Sequence, residues 1–218
     1  MNIVFLGLPG SGKGTQAYLL SNELNIPSIS TGELLRNEIK NKSDIGLVIK
    51  RKMDIGELVD DEIVINILKA NLIKDYCKNG FILDGFPRNL NQAIKLEKML
   101  DEINIKIDKV INFIADEDVI IKRILGRYSC KNCNAIYNTF YNNTKIDGEC
   151  DRCGSKEFDR RLDDNEKTIR NRIEVFNQSN FKIVEFYSKK NLIVSVDALK
   201  LVPLIFEEIK SSINNNLN

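Results

Sequence analysis

Residues 7–15, Gly-Leu-Pro-Gly-Ser-Gly-Lys-Gly-Thr, pack four glycines and a lysine into nine positions directly after an apolar run. Gly7 to Lys13 satisfies the spacing G-x-x-x-x-G-K, although Gly14 stands where Ser or Thr usually follows and Thr15 comes one position later. Glycines let successive backbone N–H groups turn inward as an anion nest, and the N-terminus of a following helix adds partial positive charge. Lys13 then reaches the outer phosphates of a nucleoside triphosphate, and Thr15 faces a magnesium ion. Asp84 ends the apolar segment Phe81-Ile-Leu-Asp, where a carboxylate meets the magnesium directly or through water. Gly85-Phe86-Pro87-Arg88 comes next, which places Arg88 just past the sheet edge where the phosphates lie. Ligands of open parallel sheets bind at that edge, so Arg88 reads as the grip for a second anion.

A second constellation is Cys130-Lys-Asn-Cys133 and, sixteen residues later, Cys150-Asp-Arg-Cys153. C-x₂-C-x₁₆-C-x₂-C has the spacing of two knuckles closing on one tetrahedral ion. Four thiolates leave no open coordination position, so zinc here is structural, although spacing alone leaves iron open. Residues 127–163 hold few apolar side chains, and a metal clip replaces the missing core. Four unrelated cysteines or disulfides are the plainer alternatives. A zinc ribbon also serves as a nucleic-acid module, but here basic and aromatic residues are not densely interleaved, despite Tyr137, Phe140 and Tyr141. Cys77 stands alone and reads as a small buried apolar residue. Asn41-Lys42-Ser43-Asp44 spells the N-x-x-D of GTP-base recognition, but no strand precedes it, and Ser43 or Asp44 reads as a helix N-cap.

The elements that must hold these residues alternate. Strands are predicted at 2–6, 81–84, 109–114 and 192–196, and helices at 13–24, from Thr31, 44–54, 61–75, 90–101, 117–126, 164–187 and 201–213. Ser30 or Thr31 would cap its helix. Residues 127–163 break the alternation as an inserted subdomain, and Asn214 to Asn218 form a polar tail. The pattern predicts an α/β fold, a doubly wound parallel sheet of about five strands. The net charge of +1 excludes a general nucleic-acid coat, so any anion site is local. No apolar run reaches the roughly 18 residues of a membrane span. With no basic segment before the first apolar run, the chain reads as cytoplasmic, and monomer is the default. Histidine is absent, so catalysis must work without imidazole.

Gly7–Gln16 (GLPGSGKGTQ), Ser30–Arg36 (STGELLR), Met53–Val59 (MDIGELV), Gly80–Arg88 (GFILDGFPR), Arg123–Arg127 (RILGR), Arg161–Asp164 (RLDD) and Thr168–Arg172 (TIRNR) together resemble the adenylate kinase family, in its order and over about residues 1–200. That resemblance implies the reversible reaction ATP + AMP ⇌ 2 ADP. It implies a core of residues 1–29, 60–126 and 165–218, a helical monophosphate-binding insertion at 30–59 and a zinc-ribbon-like lid at 127–164. Gly10, Ser11, Gly12, Lys13, Gly14 and Thr15 would cradle the ATP phosphates. Main-chain groups of Ile136, Tyr137 and Lys200 would hold the ATP base. AMP would fall to Thr31, Arg36, the 57–59 backbone (Glu57, Leu58, Val59), Gly85, Phe86, Pro87, Arg88 and Gln92, whose amide both donates and accepts. Arg161 and Arg172 would enter from the lid and its following helix. Arg123 and Arg127, four apart, are read as one helix face pointing at a single phosphate cluster. Leu8, Asn89 and Ala198 depart from the family pattern, and none bears charge. A kinase for CMP, UMP or GMP would share this phosphate machinery.

Overall fold

The computed structural model describes residues 1–214. Strand β1 (Asn2–Gly7) runs into helix α1 (Lys13–Leu24), and β2 (Ser28–Ser30) into α2 (Thr31–Lys40) and α3 (Asp44–Asp54). Helix α4 (Asp61–Leu72) and a single 3₁₀ turn lead to β3 (Phe81–Asp84), followed by α5 (Leu90–Glu102), β4 (Lys109–Ile114) and α6 (Glu117–Leu125). Short strands β5 (Arg127–Cys130), β6 (Ile136–Asn138) and β7 (Phe158–Asp159) precede the long α7 (Glu166–Ser188), then β8 (Ile193–Asp197) and α8 (Val202–Asn214).

Five strands pair in parallel in the order β2-β3-β1-β4-β8, with Val4 registered between Leu83 and Val110. The central strands β1 and β3 read as near-continuous apolar runs because helices cover both faces. Ile3, Phe5, Ile82 and Ile111 point to one side, against Leu20 of α1 and Ile209 of α8. Val4, Leu83 and Val110 point to the other, against Leu68, Leu96 and Ile183 of α4, α5 and α7. Each fully buried side chain of this size contributes about 1.5–3 kcal/mol, so the sheet is a rigid platform for the loops at its C-terminal edge.

Four local expectations need correction. Strand β2 carries no periodic signal in Ser-Ile-Ser, yet it pairs with β3 from Ser28 beside Ile82 to Ser30 beside Asp84. Ser30 is the N-cap of α2 without a side-chain capping bond, and the Thr31 hydroxyl donates instead to the Gly85 carbonyl at 3.0 Å. Helix α4 stops at Leu72, and Asp75–Cys77 forms its own turn with Cys77 buried. Helix α6 ends at Leu125 with Gly126 as C-cap, so Arg127 opens β5 and does not share a helix face with Arg123. Ser43 does cap α3, accepting from the Gly46 amide at 3.0 Å, as its local reading requires. Asn214 closes α8; the rest of the tail lies outside the described residues.

The inserted segment is an antiparallel sheet of order β6-β5-β7. Its core is small: Tyr128 stacks on Tyr137 at 5.5 Å, and Phe158 meets both edge-on, beside Cys130 and Cys150.

Candidate active site

A cleft of about 1380 Å³ opens at the C-terminal edge of the sheet. One wall is the 7–15 loop between β1 and α1. Gly10 adopts φ +83°, and a Cβ there would stand 2.5 Å from Ile124 Cγ1, so both backbone and packing demand glycine. The Lys13 ammonium donates to the Gly7 and Leu8 carbonyls at 2.9 and 2.7 Å, pinning the loop around itself. Burial lowers its pKa from 10.5 to about 8, with Asp84 pulling the other way and Arg88 and Arg127 adding repulsion. Asp84 ends β3 directly beside the loop, its Oδ2 3.6 Å from where a Gly14 Cβ would lie. Ser11 is buried, and Gly12 and Thr15 line the same wall.

The cleft is also strongly cationic. Arg36, Arg88, Arg127, Arg161 and Arg172 all line the cleft. Desolvation lowers Arg88 and Arg161 to about 10, and neighbouring arginines push the same way: Arg172 on Arg88, Arg127 and Arg36 on Arg161. Arg36 is lowered for the same reasons. Such crowding is costly when empty and is relieved by anions. Two carboxylates offset part of it. Asp163 accepts a short bond from Arg172, and Asp164 takes Arg127 in a two-pronged pair with Nε at 2.8 Å. Burial alone would raise the Asp163 carboxyl, but Arg172, Arg36 and Arg161 outweigh it and hold the group below its usual range. Asp163 and Asp164 close the Arg161–Asp164 segment, and their only local sign of this role is adjacency to Arg161 in a stretch short of core residues.

The Arg88 Nε donates to the Gly85 carbonyl at 2.8 Å, which aims the guanidinium. Phe86 and Pro87 are buried and form the floor. Gln92 is 2% exposed. Its Oε1 accepts from the Arg88 amide at 2.7 Å and its Nε2 donates to Asp61 Oδ1 at 2.7 Å. An amide oxygen has a second lone pair and the nitrogen a second N–H, so one bonding position remains at each end. Thr31, Glu57, Leu58 and Val59 also line this side.

At the far end Arg123 donates to the Ala198 carbonyl at 2.9 Å and lies 5.7 Å from the Tyr141 ring centre. Ile136 reaches to 3.9 Å from the Gly14 Cβ position, and Tyr137 is buried with its hydroxyl turned to Cys150. Lys200 sits in the turn after β8, its ammonium paired with Glu208 at 2.8 Å, which leaves its main chain to the cleft.

Beyond the cleft, the sulfurs of Cys130, Cys133, Cys150 and Cys153 all lie within 4.8 Å of one another. The Cys130–Cys153 and Cys133–Cys150 separations are 3.6 and 3.5 Å, far beyond a bonded S–S distance of about 2.05 Å. Zn–S bonds of about 2.3 Å in a tetrahedron require S···S edges of about 3.8 Å, so the group fits one ion. Burial would raise the Cys150 thiol, but hydrogen bonds from the Tyr137 hydroxyl and the Arg152 and Cys153 amides bring it down to about 6.

A family model described as "Adenylate kinase" matches residues 5–192. The protein of that name from Limosilactobacillus reuteri subsp. reuteri is 44% identical over 215 residues, 99% of each chain. Those from Archaeoglobus fulgidus and Enterococcus faecalis are 45% and 43% identical over 211 and 216 residues, 97% and 99% of this chain and 97% and 100% of theirs.

Proposed function

The chain belongs to the adenylate kinase family, and from that premise we infer how its cleft divides between two nucleotides. The reaction is the reversible phosphoryl transfer ATP + AMP ⇌ 2 ADP. The observation that carries the division is a cleft lined both by the phosphate loop and by Arg36, Arg88, Arg123, Arg127, Arg161 and Arg172, more cationic groups than one nucleotide needs. Gly10 to Thr15 take the ATP phosphates together with Arg123 and Arg127, and the main chain of Ile136, Tyr137 and Lys200 lies toward its base. Thr31, Arg36, residues 57–59 and 85–88, and Gln92 take AMP. Arg161 and Arg172 lie where the two phosphate chains meet. Residues 30–59 then act as the monophosphate-binding insertion, 127–164 as the lid, and the remainder as the core.

The chemistry asks little of the protein in proton transfer. The nucleophile is a phosphate oxygen of AMP, whose second pKa near 6 leaves it mostly dianionic at pH 7. Its obstacle is repulsion, since two polyanions must meet in line within about 3–3.5 Å. Lys13 and the arginines neutralise that charge and its spread over the transferring group. Thr15 and Asp84 offer the oxygen donors that suit the magnesium accompanying ATP, which lowers the triphosphate's charge. Lid closure keeps out the water that would otherwise take the phosphoryl group.

The four cysteines hold structural zinc on this reading, supported by four sulfurs that all lie within 4.8 Å of one another. Four unbonded thiols suit a reducing compartment, so we place the enzyme in the cytoplasm. No helix among the described residues is long and apolar enough to cross a membrane. One chain carries every residue of the cleft, so a monomer suffices. Steady-state rates with ATP against AMP, CMP, UMP and GMP test the assignment. AMP should lead in kcat/KM by at least about tenfold, the worth of one well-placed base hydrogen bond. An equal or higher value for another monophosphate overturns the choice of base.

A further inference from the structure

Helix α3 ends at Asp54, and the last carbonyls of any helix lack intrahelical donors. Two of those at this end are met by local backbone. The Gly56 amide donates to the Met53 carbonyl at 3.1 Å and the Glu57 amide to the Lys52 carbonyl at 3.0 Å. The next two are met from elsewhere in the chain. The Thr168 hydroxyl donates to the Asp54 carbonyl at 3.0 Å, and Asn171 Nδ2 donates to the Ile55 carbonyl at 2.5 Å. Both side chains belong to the first turns of α7, more than a hundred residues away. Thr168 is 4% exposed, so its hydroxyl has little access to water as an alternative partner.

The seam is close as well as bonded. Gly56 adopts φ +78°, and a Cβ there would lie 2.8 Å from the Thr168 carbonyl oxygen and 3.3 Å from Arg172 Cγ. A side chain at position 56 would therefore lift the α3 end off α7. The residues directly after this contact are Glu57, Leu58 and Val59, and the residue one turn along α7 from Thr168 is Arg172. The contact thus sets the main-chain strip of residues 57–59 beside Arg172.

We propose that Thr168 and Asn171 are positioning residues for AMP: they dock the carbonyl end of α3 onto α7 and so fix the 57–59 strip at the right distance from Arg172. Neither side chain touches the nucleotide. The dock acts only through where it holds the strip, and it rests on the assignment of residues 57–59 and Arg172 to AMP.

The test compares Thr168→Val, Asn171→Ala, the double variant and Thr168→Ser in the full-length enzyme. Valine keeps the shape and loses the donor; serine restores the donor. Losing one such bond should raise the AMP KM about three- to tenfold, more in the double variant, with the ATP KM within twofold of the parent. Serine should return the AMP KM to within twofold. A dock that only stabilised the fold would lower Tm and shift both KM values alike, and that result overturns the proposal. So does an unchanged AMP KM in the double variant. Arg88→Lys, measured in parallel, reports on the AMP subsite itself. A raised AMP KM there with normal dock variants removes the dock alone, whereas a normal AMP KM in Arg88→Lys removes the subsite assignment beneath it.

Discussion

Burial sets the Lys13 ammonium near pKa 8 in the free cleft, and that has a consequence for pH. The charged form is the one disfavoured, so Lys13 loses its proton as pH rises through about 8. Bound triphosphate favours the charged form and returns the pKa toward the ordinary lysine value. ATP binding above pH 8 should therefore take up a proton, and ATP affinity should fall from there upward. Calorimetry at pH 8.5 in buffers of different ionisation enthalpy measures the uptake; a binding enthalpy independent of buffer would show that Lys13 stays charged. Arg88 and Gln92 illustrate a different principle. The arginine is aimed by Gly85, and its amide is held by Gln92, which is itself held by Asp61. A lysine at 88 would keep the charge and lose both the planar fork and the Nε bond that orients it.

Among the elements, the lid is the one whose order depends on something other than apolar burial. Its hydrophobic cluster consists chiefly of Tyr128, Tyr137, Phe158 and the cysteines themselves. With the proposed zinc in place, metal binding would be coupled to its folding. Displacing the metal with a thiol-blocking reagent should release about one zinc per chain, lower Tm and expose residues 127–164 to protease. Activity should fall only as far as Arg127 and Arg161 lose their places. No metal at all in a stable protein with four reactive thiols would refute the structural role. The phosphate loop, the four cysteines and nearly every helix were legible in the sequence because each rests on local spacing or on the 3.6-residue period. What was not legible depends on distant partners. Strand β2 is defined by pairing to β3, since Ser-Ile-Ser has no pattern of its own. The orientation of Arg127 follows from Asp164, thirty-seven residues on. The Gly126 cap that takes Arg127 off the helix is one residue that a helical period passes over. The role of Asn171 follows from a carbonyl of α3 that no sequence window contains.

At the scale of the whole molecule, the parallel sheet gives a fixed edge, and two insertions bring charge to it from either side. The 30–59 segment carries Thr31, Arg36 and the 57–59 strip; the 127–164 segment carries Arg161 and Arg127, the latter held by Asp164. Helix α7 touches both, through Thr168 and Asn171 at one seam and Arg172 with Asp163 at the other. On the proposed reading, this one cleft holds two nucleotides at once in separate subsites, with Lys13 serving one and Arg88 the other. Calorimetric titration of AMP into enzyme saturated with a non-hydrolysable ATP analogue tests it most directly, using the parent, Lys13→Ala and Arg88→Lys. In the parent, one AMP per chain should bind without displacing the analogue. Lys13→Ala should weaken the analogue at least about tenfold with AMP nearly unchanged, and Arg88→Lys should do the reverse, each reflecting the loss of a charge-assisted contact. Competition between AMP and the analogue for a single site, or equal weakening of both ligands by either substitution, would contradict it.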